Sequence, residues 1–193
     1  MHPVRPIVGE WRSLTIVNAT DEQLLDGVLL NACTVAYNAV KPKRTEIIEA
    51  ALSVESALDS VLLDLLAGLP PERRLVVREL IVAAEFCTFH QKWTMLRRLF
   101  DLEVSYFASL SDTDGKELRR DLRKVISDRN KFAHGEMFVD ANNLAVTVQY
   151  FEDGTKTKEV NESWVSEMLL RSHEVRDTLM KLHVGWERAQ NGR

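Results

Sequence analysis

The chain has 193 residues, enough for one domain with a substantial hydrophobic core or for two very small ones. Its 45% hydrophobic and 28% charged composition is that of an ordinary globular protein, which excludes collagen-like, low-complexity and strongly disordered classes. A net charge of −4 excludes a global basic field, so any contact with RNA or DNA has to come from a local patch.

Residues 1–19 carry the early prolines and Gly9 and read as an irregular arm, with a short strand at Leu14–Val17. Thr20 or Asp21 caps a first helix expected to run to about Val40, where Lys41-Pro42 ends it. A second helix, about Arg44–Ala67, carries Ile47, Ile48, Ala51, Leu52, Leu58, Val61, Leu62, Leu65 and Leu66 at helical period, and Gly68 with Pro70-Pro71 closes it.

Pro71 suits the first position of a third helix. No Gly or Pro interrupts the stretch from Glu72 to about Glu103, with Leu75, Leu80, Val82, Phe86, Phe89, Trp93, Leu96 and Phe100 on its core face. A rod of some 30 residues would be about 45 Å long, close to the width of a whole domain, so a kink or break is expected within it. Ser111-Asp112-Thr113-Asp114-Gly115 reads as a turn and capping cluster, and Lys116–Ala133 as the fourth helix.

The period then changes. Leu144, Val146, Val148 and Tyr150 alternate with Ala145, Thr147, Gln149 and Phe151, the two-residue repeat of a strand. Asp153-Gly154 supplies a hairpin turn, Thr155–Val160 a return strand, and Asn161 the cap of a last helix with Trp164, Val165, Met168, Leu169, Val175, Leu179, Leu182 and Trp186 on one side. The expected architecture is mainly α: about five helices in one domain over 20–189, with a small antiparallel β-hairpin inserted before the last helix.

Cys33 and Cys87 each lie in an apolar helical stretch and read as free thiols of a reducing compartment, and two cysteines alone cannot complete a zinc site. The N-terminus lacks the apolar run of a signal peptide, and no segment approaches the roughly 20 apolar residues that cross a bilayer. The expected location is cytoplasmic, without membrane contact. No Walker loop, glycine-rich dinucleotide turn or serine nucleophile elbow is present.

The chemistry concentrates in Arg129-Asn130-Lys131-Phe132-Ala133-His134-Gly135, at the end of the fourth helix. Leu118, Leu122, Val125 and Ala133 mark that helix's apolar stripe, and Arg129 falls four residues after Val125 and four before Ala133, so it is expected to point along the stripe. A guanidinium there needs a carboxylate, an open cleft or a partner chain. Asn130 and His134, four apart, share a neighbouring face. A histidine followed by glycine is also a plain helix C-terminus, favoured by the helix dipole. Glu55 sits within the apolar stripe of the second helix and is the candidate to support Arg129, with Asp59 one turn on as its competitor. Arg119, Arg120, Arg123, Lys124 and Lys131 form either a local phosphate-binding face, with Arg123, Lys124 and Lys131 nearest the motif, or a plain solvated one interleaved with Glu117, Asp121 and Asp128. His90, His173 and His183 lack metal-ligand spacing.

The seven-residue stretch resembles the signature of the HEPN superfamily: an arginine, a polar residue directly after it, and a histidine four to six positions from the arginine. Val54-Glu55-Ser56-Ala57-Leu58-Asp59 looks like an early HEPN helix, Phe89-His90-Gln91-Lys92-Trp93-Thr94-Met95-Leu96 like the following one, and a hairpin then helix follows the motif in several subfamilies. The likeness spans about residues 20–185 in pattern and is most specific over the motif. It implies an all-α bundle, usually dimeric, and for many members metal-independent endoribonuclease activity without a cofactor, in toxin–antitoxin or antiviral systems. The catalytic residues would be Arg129, Asn130 and His134, with RNA as substrate and a cognate antitoxin or regulatory protein as a further partner. Other members are non-catalytic interaction modules, which is the alternative. A third, weaker expectation is a small-ligand sensor.

Overall fold

The computed structural model describes residues 14–25, 27–68, 70–85, 87–102, 105–108 and 110–191. Phe86 and the first 13 residues of the expected arm lie outside them. The described residues gather into two compact units: those of Met1–Ile48 with Asp128–Met168, and those of Glu49–Ser127 with Leu169–Arg193. Mainly helical structure is what the periodicity predicts, and the element order is β1 (Thr15–Val17), α1 (Asp21–Leu25), α2 (Gly27–Ala67), α3 (Pro71–Val77), a π-helical turn (Arg78–Val82), α4 (Phe89–Asp101), a 3-10 turn (Ser105–Phe107), α5 (Asp112–His134), β2 (Glu136–Asp140), β3 (Val146–Phe151), β4 (Thr155–Glu159) and α6 (Glu162–Asn191). Among the described residues, no helix is long and apolar enough to cross a membrane.

The first correction concerns Pro42, which was expected to end a helix and instead lies inside α2. A proline in a helix interior removes one backbone bond and costs about 3 kcal/mol relative to alanine. Beyond it the helix continues with Ile47, Ala51, Val54, Leu58, Val61 and Leu62 buried, so packing outweighs the local penalty. Gly68 then ends the helix as expected, in the left-handed conformation (φ 67°), its N–H donating to the Asp64 carbonyl at 3.1 Å.

In the first unit the strands form one sheet in the order β1-β2-β3-β4. β1 runs parallel to β2, and the other pairs are antiparallel, with Val148 opposite both Met137 and Lys158, and Tyr150 opposite Lys156. The expected hairpin is thus the outer half of a larger sheet, because β2 and β1 were not anticipated as its partners. Ile16, Met137, Val139, Val146 and Val148 bury one face, and the Phe132 and Trp164 rings lie 5.4 Å apart. Leu144, expected in a strand, sits instead in the turn at φ 59°; β3 starts at Val146 once the Ala145 N–H has bonded the Asn143 side chain at 2.9 Å. Asp153 and Gly154 form the β3–β4 turn at positive φ, as the dipeptide predicts. Asn161 caps α6 through the Trp164 N–H at 2.9 Å.

The second unit has its core around Leu58, Val61, Leu62, Leu96, Leu122 and Leu179, all fully buried. The rod expected over residues 72–103 is broken: the π-turn ends at Ala83, and α4 starts afresh from Thr88. Thr88 and Gln91 form a capping box, the Thr88 N–H donating to the Gln91 side chain at 2.7 Å and the Gln91 N–H to the Thr88 hydroxyl at 3.4 Å. α5 begins at Asp112, earlier than Lys116, because Ser111 rather than the whole cluster acts as the cap; the Asp114 N–H donates to the Ser111 hydroxyl at 3.1 Å.

Candidate active site

Three of the buried positions predicted for α5, Leu118, Leu122 and Val125, are buried. Beyond them the buried line passes through Asp128 and Phe132, while Arg129 and Ala133 are half-buried. At 100° per residue Arg129 lies roughly 60° from Phe132 around the helix, so it stands at the margin of the apolar stripe, not along it. Phe132 takes the central place because an aromatic ring gains more from burial than an alanine. Its side chain is 1% exposed.

Arg129 donates from Nη1 to Asn130 Oδ1 at 3.1 Å, so two of the three motif residues are in direct contact. Its Nε is buried and has no hydrogen-bond partner among the described residues. His134 is exposed and has no polar partner among them. Arg129 and His134 are roughly 140° apart around the helix, whereas Asn130 and His134 are roughly 40° apart. Asn130 therefore bridges from the cation to the face that carries the imidazole.

The end of α5 is held in place partly by groups that the sequence did not single out, Arg44 and Tyr150 among them. Arg44 Nη2 donates to the Ala133 carbonyl at 3.3 Å, answering one of the open carbonyls of the last turn with a cation. Lys131 pairs with Asp128 at 3.2 Å and lies 5.3 Å from the centre of the Tyr150 ring. Lys43 pairs with Glu162. Neither Arg44 nor Tyr150 carried a pattern that marked it: one only opens the expected second helix, the other lies in an alternation that read as a strand.

α5 ends at His134, directly before Gly135 as expected, and the glycine does a further job there. Its N–H makes an ordinary helical bond to the Lys131 carbonyl at 2.9 Å, and it needs no left-handed backbone. A β-carbon there would stand 2.2 Å from the Lys131 carbonyl oxygen, 2.7 Å from Val148 Cγ2 and 2.9 Å from the Gln149 carbonyl oxygen. Glycine is required because the helix end passes directly over β3. Gly135→Ala is accordingly expected to lower stability by about 3 kcal/mol through overpacking against backbone that cannot yield. A urea titration followed by tryptophan fluorescence measures it, and an unchanged midpoint would show that the close approach is dispensable.

Of the remaining candidates, Glu55, Asp59, Arg123 and Lys124 belong to the second unit. Within that unit Glu55 and Asp59 share a cation: Lys92, itself buried, donates to Glu55 Oε1 at 2.8 Å and to Asp59 Oδ2 at 3.0 Å. Burial opposes the charge on Lys92, and the two carboxylate bonds outweigh it, holding its pKa above that of an ordinary lysine. Burial pushes the Asp59 carboxyl up, against the pull of Lys92. Arg123 and Lys124 are exposed, and Lys124 lies 3.6 Å from Asp121. Arg120 pairs with the same aspartate, and Arg119 with Asp101, so much of the basic run is balanced within the unit.

A fourth constellation was not anticipated. Asp64, its side chain wholly buried, accepts from Arg74 Nη1 at 2.6 Å and from the Tyr106 hydroxyl at 2.9 Å, and it meets His183 Nδ1 at 2.7 Å. The only trace in the sequence is a lone aspartate inside the apolar run Val61–Ala67. Cys33 and Cys87 are both free and buried, and burial raises both thiol pKa values. No protein-family model, curated protein or solved structure matches this chain.

Proposed function

We propose that this protein is a HEPN-like, metal-independent endoribonuclease that cleaves single-stranded RNA as a homodimer. The observation that carries the reading is the last turn of α5, where an exposed His134, without a polar partner among the described residues, follows an Arg129–Asn130 hydrogen-bonded pair. An exposed imidazole without a polar partner among the described residues is available to move protons, and a half-buried guanidinium whose Nε–H has no partner among them leaves donor capacity unspent for a phosphate oxygen at its exposed edge.

The reaction needs no outside nucleophile. A base removes the proton of the ribose 2′-hydroxyl, whose oxygen attacks the adjacent phosphorus. The bond from phosphorus to the 5′-oxygen breaks, and an acid returns a proton to that oxygen. The products are a 2′,3′-cyclic phosphate and a 5′-hydroxyl end. His134 moves the protons, Arg129 offsets charge on the phosphate oxygens, and Asn130 holds the guanidinium and orients the site. One chain supplies one motif histidine, so acid and base together call for two copies around a two-fold axis.

The test is single-stranded RNA with purified protein in excess EDTA, beside a DNA oligonucleotide of the same sequence and the variants His134→Ala and Arg129→Ala. Cyclic-phosphate ends from RNA alone, lost in both variants, are the expected result. Cleavage that both variants retain would sink the assignment of these residues. No cleavage at all by a stable dimer would favour a non-catalytic interaction module.

A further inference from the structure

We propose that the open β4 edge of the sheet holds the RNA strand beside His134, with Tyr150 as a stacking platform for one base and Lys131, Lys156 and Lys158 as its phosphate contacts. This rests on the ribonuclease reading above and adds to it the surface that presents the substrate.

The first support is how the pleat sorts charge. The register sets Lys156 opposite Tyr150 and Lys158 opposite Val148, so both strand lysines share the face on which Val148 meets the end of α5. The strand carboxylates go the other way. Glu136 is opposite Gln149, Asp140 opposite Val17 and Glu159 opposite Thr147, all on the reverse face. A chain with net charge −4 thus borders this otherwise apolar, buried face with two lysines and no strand carboxylate along its exposed β4 edge.

The second support is proximity. Gly135, next to His134, lies against Val148 and Gln149, and Lys131, one turn earlier, reaches to 5.3 Å from the Tyr150 ring centre. Lys158 stands 4.2 Å from the centre of the Trp164 ring, at the start of α6. Tyr150 is half-buried, and β4 is exposed along its whole length, so an extended strand has access to both. Two carboxylates also reach this face: Asp128 on Lys131, and Glu152, 3.8 Å from Lys156. The second pair is half-exposed on both sides, and solvent weakens it enough for phosphate to compete. An aromatic platform flanked by cations takes an unstacked base with its backbone, which selects single strands over duplex.

The test uses the full parent chain and a fluorescently labelled, 2′-O-methylated single-stranded oligonucleotide, which cannot be cleaved, with anisotropy read across a salt series. Lys156→Gln with Lys158→Gln is expected to raise Kd about tenfold and to flatten the slope of log K against log salt by about 1.4, at about 0.7 per lost phosphate contact. Tyr150→Ala is expected to raise Kd about tenfold with the slope unchanged, and Tyr150→Phe to bind like the parent. Glu136→Gln with Glu159→Gln, on the reverse face, is the control and should not weaken binding. Circular dichroism checks each fold, and the lysine pair decides the matter if Tyr150→Ala fails to fold. An unchanged Kd and slope in the lysine pair, or no binding by the parent, overturns the proposal. Lysine-dependent binding without cyclic-phosphate ends on ordinary RNA would sink the nuclease reading alone, whereas cleavage with binding indifferent to β4 would sink this surface alone.

Discussion

Asp64→Ala is expected to cost about 3–5 kcal/mol, the largest stability loss of any single change considered for this chain. The carboxylate is completely buried and has three partners from three other segments: Arg74 of α3, Tyr106 of the 3-10 turn and His183 of α6. Removing it leaves the Arg74 guanidinium, mostly buried, with the Gly68 carbonyl at 3.2 Å as its remaining hydrogen-bond partner among the described residues. It also strands the Tyr106 hydroxyl, whose pKa burial and the neighbouring Asp64 charge push well above the usual tyrosine value, so that it stays a donor. Asp64→Asn keeps the shape but not the charge and should fall between the parent and Asp64→Ala. For a chain of this length the alanine variant should melt roughly 10 °C lower by calorimetry. A drop of less than about 2 °C would mean that water or rearranged neighbours replace the carboxylate at little cost.

His134→Ala is expected to reduce the rate of RNA cleavage by a factor of about 10²–10⁴, the usual worth of a positioned acid or base. Stability should hardly change, because the side chain is exposed and unpartnered. Arg129→Ala should lose about 10²–10³ through the unstabilised phosphate charge, and Arg129→Lys should recover only part of it, since a point charge cannot reproduce the planar fork. Asn130→Ala tests a different role: it frees the guanidinium that Asn130 Oδ1 now holds at 3.1 Å, and should cost rate with little effect on RNA affinity. Single-turnover cleavage with end-group analysis, beside urea midpoints for each variant, separates chemistry from folding. A His134→Ala chain that cleaves at the parental rate would show that the proton carrier lies elsewhere.

Much of the architecture was legible because its determinants are local. Asn161 caps α6, Gly68 ends α2 and Asp153-Gly154 turns the hairpin, each as the residue's own backbone preference and hydrogen bonding require. The break expected between residues 72 and 103 has a local determinant too, the capping-box spacing of Thr88 and Gln91 that places it before α4. Of the candidate site, only the helix and the first part of its buried side were legible, since Phe132 and not Ala133 continues the buried line. Leu118, Leu122 and Val125 on one side and the shared face of Asn130 and His134 follow from a period of 3.6 residues.

Other features depend on partners distant in sequence, and local pattern is silent about those. Pro42 remains inside α2 because the burial that follows outweighs a local penalty that reads as a stop. Glu136–Asp140 becomes a strand through pairing with β1 and β3, more than a hundred residues away on one side and a short turn away on the other. Lys92 occupies Glu55 and Asp59, a pairing no spacing announces, since charges pair with whichever counter-ion packing delivers. Gly135 is needed for the closeness of β3, which no backbone preference encodes. Periodicity and capping are properties of neighbours along the chain; contact, clearance and counter-ion choice are properties of neighbours in space, and folding alone creates them.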